Sequence, residues 1–213
     1  MLVAQVVGIL LFIGLVIGDW IHFASMAAPA RRYGCGIARI EGRLPDLRSV
    51  SDLRFNQHDV YELPHGLARL YREDQVIVLR PQAHRFSPRF RTAWPMKATI
   101  HLQSDDHGMR LGGTKRIPWS SALLTLAWFL TVAVGTVGFL IAFLMNEGFS
   151  SFGGTLLGLG VLALGLFVLG FGLVIVALGY RLENQRLMQA YEELHQSLTK
   201  LSLASSRLMR RRS

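Results

Sequence analysis

The sequence predicts an α-helical integral membrane protein with three transmembrane helices, a small mainly-β cytoplasmic domain and a C-terminal amphipathic, coiled-coil-like helix. Charged residues make up only 17% of the 213 residues, below the roughly one quarter that is usual in soluble domains. Three apolar stretches are long enough to cross a bilayer, which takes about 20 residues. A regular apolar stripe follows the last stretch and predicts the amphipathic helix.

The first apolar stretch covers about residues 2–23 and predicts a membrane anchor within residues 1–30. A cleaved signal peptide is the alternative, because Ala28-Pro29-Ala30 resembles a cleavage site. However, no Lys or Arg precedes the stretch, and it is longer than the 7–15 apolar residues of a signal peptide. Asp19 and His22 share a helical face near its end. Since both lie near the membrane interface, we favour a structural role for them.

Residues 31–118 predict a membrane-proximal, mainly-β cytoplasmic domain, because short β-type runs alternate with turn residues. The predicted strands cover residues 36–40, 66–72, 76–80 and 96–103, and a turn at 104–108 predicts a hairpin. Residues 45–54 predict a short helix. Residues 112–115 lack the glycine spacing of a phosphate-binding loop and are interpreted as a loop before the membrane.

Residues 119–180 predict a transmembrane hairpin with helices at about 119–145 and 155–180, because the short connection forces them to be antiparallel. Four glycines recur every seven residues in the second helix of the hairpin: Gly158, Gly165, Gly172 and Gly179. The first helix offers a stripe of small residues: Thr131, Gly135, Gly138 and Ala142. We predict close packing through these two faces. The alternative is that glycine is simply common in transmembrane helices.

Residues 181–213 predict an amphipathic basic helix, because apolar residues recur with heptad-like spacing. The stripe consists of Leu187, Tyr191, Leu194, Leu198 and Leu201. A stripe this short needs a partner, which is a second copy, another subunit or the β domain. A solvated helix without a partner is the alternative. Arg210, Arg211 and Arg212 lie next to the C-terminal Ser213, and anionic lipid is their expected partner.

All 23 Lys and Arg residues lie in segments 31–118 and 181–213. The positive-inside rule therefore predicts a multi-pass protein of a bacterial-type inner membrane, with the N-terminus outside and both basic segments in the cytoplasm. A basic stretch interleaved with aromatic residues contains Arg85, Arg89 and Arg91. Anionic lipid headgroups or another anionic ligand are its expected partners, and no nucleic acid is expected.

Catalytic motifs are missing from the sequence. Cys35 is the single cysteine, and the seven histidines show no metal-ligand spacing, so we expect no catalytic residue, metal or cofactor. The sequence therefore predicts a non-enzymatic accessory or scaffolding subunit that assembles with partner membrane proteins, or with copies of itself, through the glycine-lined hairpin and the C-terminal heptad-like helix. A membrane-tethered sensory or ligand-binding module, whose β domain binds an anionic ligand or lipid headgroup, is the alternative.

Overall fold

The computed structural model describes residues 2–44, 55, 59–81, 92–105 and 108–210, with side chains to Lys200. The short helix predicted at 45–54 lies outside the described residues. So do Arg85, Arg89, Arg91, Arg211 and Arg212, and the side chains of Leu201 and Arg210. The chain forms two compact units. We call Met1–Ser120 with Leu182–Ser213 the sheet unit, and Ser121–Arg181 the hairpin unit.

The sheet unit contains helix α1, a short 3₁₀ helix and a six-stranded sheet. Their bounds are α1 Leu2–Ala24, the 3₁₀ helix Ala28–Ala30, β1 Cys35–Leu44, β2 Val60–Leu63, β3 Gly66–Tyr71, β4 Val76–Pro81, β5 Lys97–Asp105 and β6 Gly108–Ile117. The strand order is β1-β6-β5-β4-β3-β2, and every neighbouring pair is antiparallel. The mainly-β character predicted for this segment is confirmed.

Two features of the sheet differ from the prediction. Strand β2 was not predicted, because its four residues Val-Tyr-Glu-Leu give too short an alternating pattern. The prediction of a loop at residues 112–115 is wrong, since these residues lie inside β6. This strand lies between β1 and β5 in the sheet. A Cβ at Gly113 would lie 3.3 Å from Ile100 and 3.4 Å from Ile40. Glycine at this position accommodates the side chains of the neighbouring strands and does not mark a turn.

Three helices are long and apolar enough to span a membrane: α1, α2 (Trp119–Met145) and α3 (Phe152–Arg210). Helix α3 begins at Phe152, three residues before the predicted start. Ser151 caps it, because the Gly154 amide donates to Ser151 Oγ at 3.1 Å. The helix then continues without a break through the predicted boundary at residue 181. Residues 181–210 contain no glycine or proline that would end it.

Inside the hairpin unit, the four glycines of the predicted seam are buried. A Cβ built on Gly165 would lie 2.5 Å from Thr136 Oγ1, and one on Gly172 would collide with the ring of Trp128. Glycine therefore leaves space that larger side chains of α2 fill. The small residues predicted to face this seam do not lie at the contact: Thr131, Gly135, Gly138 and Ala142 are all exposed. Large α2 side chains fill the glycine surface more completely than small ones, so a different face of α2 is used.

The C-terminal part of α3 packs on one face of the sheet within the sheet unit. Leu187, Tyr191, Leu194 and Leu198 are buried, together with the inward-facing residues of the central strands. The backbones approach closely here, because a Cβ at Gly66 would lie 2.7 Å from Ala190 Cβ. Of the partners that the sequence left open for the apolar stripe, the sheet of the same chain is the one in contact with it.

Candidate functional site

The opposite face of the sheet carries a basic side chain on each of four neighbouring strands. These are Arg69 on β3, Arg80 on β4, Lys97 on β5 and Arg116 on β6, and we call them the basic ladder. Lys97 pairs directly with Arg116 across β5 and β6. Because side chains two residues apart in a strand share a face, the register brings all four to the same side.

The basic ladder binds backbone carbonyls of the segment that connects α1 to β1. The contacts are Arg80 to Ala24 O at 2.6 Å, Arg69 to Met26 O at 2.8 Å, Lys97 to Phe23 O at 3.3 Å and to Ala30 O at 2.6 Å, and Arg116 to Gly34 O at 2.9 Å. The last carbonyls of a helix have no partner within the helix, and the helix dipole places partial negative charge there. The ladder therefore caps α1 and holds it to the sheet.

Lys97 is the most deeply buried member of the ladder, with 1% of its surface exposed. Burial, followed by repulsion from Arg116 and Arg80, lowers the pKa of its amine to about 8. Two carbonyls and the Phe23 ring, whose centroid lies 4.4 Å from Nζ, stabilise the charged amine. These partners are neutral, so they do not offset the positive charge of Lys97.

A second group of cations lies beside the ladder. Thr99 donates to Arg31 O at 2.7 Å and Arg116 donates to Gly34 O, so residues 31–34 cross the basic face from β5 to β6. Arg32 lies in this crossing and is exposed. Burial first, then Arg32 and Arg116, lower the pKa of His101. Burial first, then Arg32, also lower the pKa of Arg116.

Acidic residues do little to offset this charge among the described parts of the chain. Asp74 forms an ion pair with Arg31, whose guanidinium also lies over the Tyr71 ring. Asp74 also raises the pKa of His101, but its effect is the smallest of those that act on the imidazole. Among the described residues, Asp74 is therefore engaged by Arg31 and has only a small effect on His101.

Asp19 joins the end of α1 to the start of α2. Its carboxylate accepts hydrogen bonds from the Ser120 amide, at 2.9 Å, and from the hydroxyls of Ser120 and Tyr33. The hydrogen bond to Asp19 is the main reason that the pKa of the Tyr33 phenol is raised. His22 packs edge-on against the Tyr33 ring at 4.5 Å. This arrangement gives Asp19 and His22 a structural role, because a carboxylate at a helix N-terminus is stabilising.

The described part of the chain includes Cys35 and the histidines His22, His65, His101 and His195. No group of three or more His, Cys, Asp or Glu side chains that could hold a metal ion occurs in this part of the chain. Cys35 is reduced and half-buried, and its Sγ lies 4.0 Å from Gly36 O. The His65 ring contacts the Glu193 carboxylate of α3. His195 is itself part of α3, and its ring Nε2 lies 3.1 Å from the carbonyl oxygen of Arg43.

The sequence interpretation missed the basic ladder. One signal was available: Arg69, Arg80 and Lys97 each interrupt an apolar run in a predicted strand. A charge placed among buried residues usually has a specific partner. Here the partners are backbone carbonyls 43 to 74 residues away in the chain, and no side-chain pattern reports them.

Comparisons with protein-family models, with curated proteins and with solved structures found no match to this chain.

Proposed function

We propose that this chain is a non-enzymatic, multi-pass accessory or scaffolding subunit of a bacterial-type inner membrane, which assembles through α1 with a partner membrane helix or a second copy. The observation that carries the proposal is the pair Gly14 and Gly18 on α1. A Cβ built on either glycine meets no described atom within 4 Å. Glycines four residues apart in an apolar helix form a surface on which another helix can approach closely.

The glycines of α3 provide the contrast that supports this assignment. Side chains already fill the space at Gly158, Gly165 and Gly172, whereas a Cβ at Gly14 or Gly18 meets nothing within 4 Å. Two other pairs are open as well, Gly160 and Gly170 of α3 and Gly135 and Gly138 of α2, but neither pair has the four-residue spacing of Gly14 and Gly18. The apolar stripe of the C-terminal helix is also occupied, because Leu187 and Leu194 are buried in the same chain. The partner contact that the sequence suggested for the hairpin and the C-terminal helix is therefore proposed on α1 instead.

The orientation stays part of the proposal. With all 23 Lys and Arg residues in segments 31–118 and 181–213, the sheet and the C-terminus are placed in the cytoplasm and the N-terminus outside. The basic side chains of this face are consistent with a cytoplasmic leaflet, which is rich in anionic lipid.

Substitution of both Gly14 and Gly18 by Leu tests the assembly proposal. We expect the full chain, extracted from its native membrane in mild detergent, to lose its partner and run at the mass of one chain, because two leucine side chains prevent close helix approach. Native mass spectrometry of wild type and variant measures this. Gly8→Leu is the control, since Gly8 is also open but lies on another face of α1. A wild-type protein that is already monomeric, or an unchanged complex in the double variant, would contradict the proposal.

A second candidate function is a membrane-tethered module that binds an anionic ligand or lipid headgroup. The basic face favours it, because Arg69, Lys97 and Arg116 donate to neutral backbone carbonyls. The arginines that first suggested this function, Arg85, Arg89 and Arg91, lie outside the described residues, so the support comes from a different part of the chain.

A further inference from the structure

We propose that Trp20 of α1 and Trp119 of α2 contact the headgroup region of the lipid bilayer together, at the level where both helices leave it. We call these two residues the tryptophan pair. The inference rests on the multi-pass part of the proposed function and names the place where the membrane surface crosses the chain. Three features support it: the common level of the two residues, the charge boundary beside them and the exposure of their indoles.

A hydrogen-bonded link between α1 and α2 sets the two tryptophans at one level. The Ser120 amide donates to the Asp19 carboxylate at 2.9 Å, and the Ser120 hydroxyl donates to the same oxygen. Trp20 follows Asp19 toward the sheet end of α1, and Trp119 precedes Ser120 at the sheet end of α2. A helix rises about 1.5 Å per residue, so each tryptophan lies one such step from the link, on its sheet side. Two helices that cross the same bilayer therefore carry these residues at the same depth.

The distribution of charge changes at this level on both helices. Residues 1–18 contain no Asp, Glu, Lys or Arg, and Asp19 is the first charged residue. On the second helix, Arg116 is the last charged residue before α2, and the next is Glu147. Ionised side chains are costly in hydrocarbon, whereas tryptophan is enriched where hydrocarbon meets the headgroups. The boundary between apolar and charged residues thus coincides with the tryptophan pair.

Both indoles of the pair are accessible from outside the chain. Trp20 is 36% exposed and Trp119 is 45% exposed. Neither indole N–H donates a hydrogen bond to a residue that the structure describes. An indole has a large apolar ring and a single donor, so it suits a boundary where the ring contacts acyl chains and the N–H donates to a lipid oxygen.

The tryptophan pair would hold the sheet against the headgroup layer. Lys97 and Arg80 bind the carbonyl oxygens of Phe23 and Ala24. These carbonyls lie three and four residues beyond Trp20, which is about 5–6 Å along the axis of α1. The basic ladder therefore attaches the sheet directly below the level that the pair assigns to the membrane surface.

Fluorescence quenching by brominated lipid tests this depth. The purified full chain is placed in phosphatidylcholine vesicles whose bromine atoms lie either near the headgroup or near the bilayer centre. The test variants are Trp20→Phe, Trp119→Phe and the double variant, because phenylalanine keeps an aromatic ring at these exposed positions. Trp128→Phe is the matched control: Trp128 is 42% exposed and lies nine residues further along α2, about 13 Å from Trp119. Trp94 is present in every variant, so its emission cancels in the differences.

We expect quenching by the shallow bromine to fall by about half in each single variant, because the two tryptophans lie at one depth. The double variant should lose most of it and keep its quenching by the deep bromine. Trp128→Phe should do the opposite. Shallow quenching that is the same in wild type and in the double variant would overturn the proposal, and so would a loss of deep quenching in the double variant.

This proposal and the assembly proposal fail separately. The variant with Leu in place of both Gly14 and Gly18 should keep the wild-type quenching, because contact with headgroups does not require a partner helix. Deep quenching of Trp128 without shallow quenching of the pair would overturn the headgroup contact and leave the membrane crossing intact. If neither lipid quenches wild type, the membrane crossing is wrong and the headgroup contact falls with it.

Discussion

The two faces of the sheet are held by different forces. On one face, apolar residues of β3 to β6 pack against Leu187, Leu194 and Leu198 of α3. On the other face, the basic ladder donates hydrogen bonds to the backbone between α1 and β1. The first face depends on buried area and close packing, and the second on charge and donor geometry.

This difference indicates a division of roles. Apolar burial is non-directional and stabilises the sheet unit whatever the ionic conditions. Hydrogen bonds from cations to carbonyl oxygens are directional, so they can fix the position of α1. The side chains that donate them keep their charge and can still attract an anion. Three variants separate the two contributions, and they are given from the largest expected effect to the smallest.

Leu187→Ala should give the largest effect, because Leu187 is fully buried on the apolar face. Removing its side chain leaves a cavity and should lower the free energy of unfolding by about 2–5 kcal/mol. Denaturant titration of the full chain in mild detergent measures it. Leu182→Ala is the control, because Leu182 is in the same helix but 50% exposed. This substitution should lower the free energy of unfolding by about 0.5 kcal/mol or less. Similar losses for both variants would show that the apolar face does not carry the stability.

Lys97 should make the stability of the basic face depend on pH. The folded amine loses its proton near pH 8, whereas the unfolded amine keeps it to about 10.5. Between these values the unfolded state binds more protons, so stability should rise with pH, by up to about 3 kcal/mol. As the pH falls through 8, this gain is lost. Thermal unfolding in detergent from pH 7 to 10.5 measures the rise.

Lys97→Met supplies the control for that measurement. Other groups titrate over the same range, including Lys115, whose pKa burial also lowers. The difference between wild type and Lys97→Met isolates the contribution of Lys97. If the stability of the two proteins changes with pH in the same way, the Lys97 amine keeps its ordinary pKa in the folded protein.

Gly42→Ala probes the close approach on the apolar face and should have the smallest effect, about 1–3 kcal/mol of destabilisation. An added Cβ would collide with the Tyr191 hydroxyl, which is buried without a hydrogen-bond partner among the described residues. Gly112→Ala is the control, because its Cβ meets open space. Tyr191→Phe should rescue Gly42→Ala by removing the colliding oxygen, and failure of this rescue in the denaturant titration would contradict the packing argument.

Helices and strands could be predicted where one pattern dominates. The bounds of α2 follow from an uninterrupted apolar run, and β3, β4 and β5 follow from short β-type runs between turns. The buried positions of the C-terminal helix also follow from heptad-like spacing. Periodicity reports which residues are apolar on one face, so it succeeds wherever burial alone determines the structure.

Contacts that join distant residues could not be predicted in this way. The seam glycines of α3 are buried, but their neighbours on α2 include Trp128 and Thr136, not the predicted small residues. Small residues are needed on only one helix of such a contact. Similarly, Lys97 binds carbonyls 67 and 74 residues away. Because every residue has the same backbone carbonyl, the sequence does not indicate which carbonyls Lys97 will bind.

The link from Asp19 to Ser120 has a consequence for synthesis of the protein. The two residues are 101 positions apart, so α1 leaves the ribosome well before the amide that its carboxylate will bind has been made. Until α2 emerges, Asp19 must be hydrated or held by the insertion machinery. Completion of this link therefore marks a late step of biogenesis, after the intervening sheet strands have been translated.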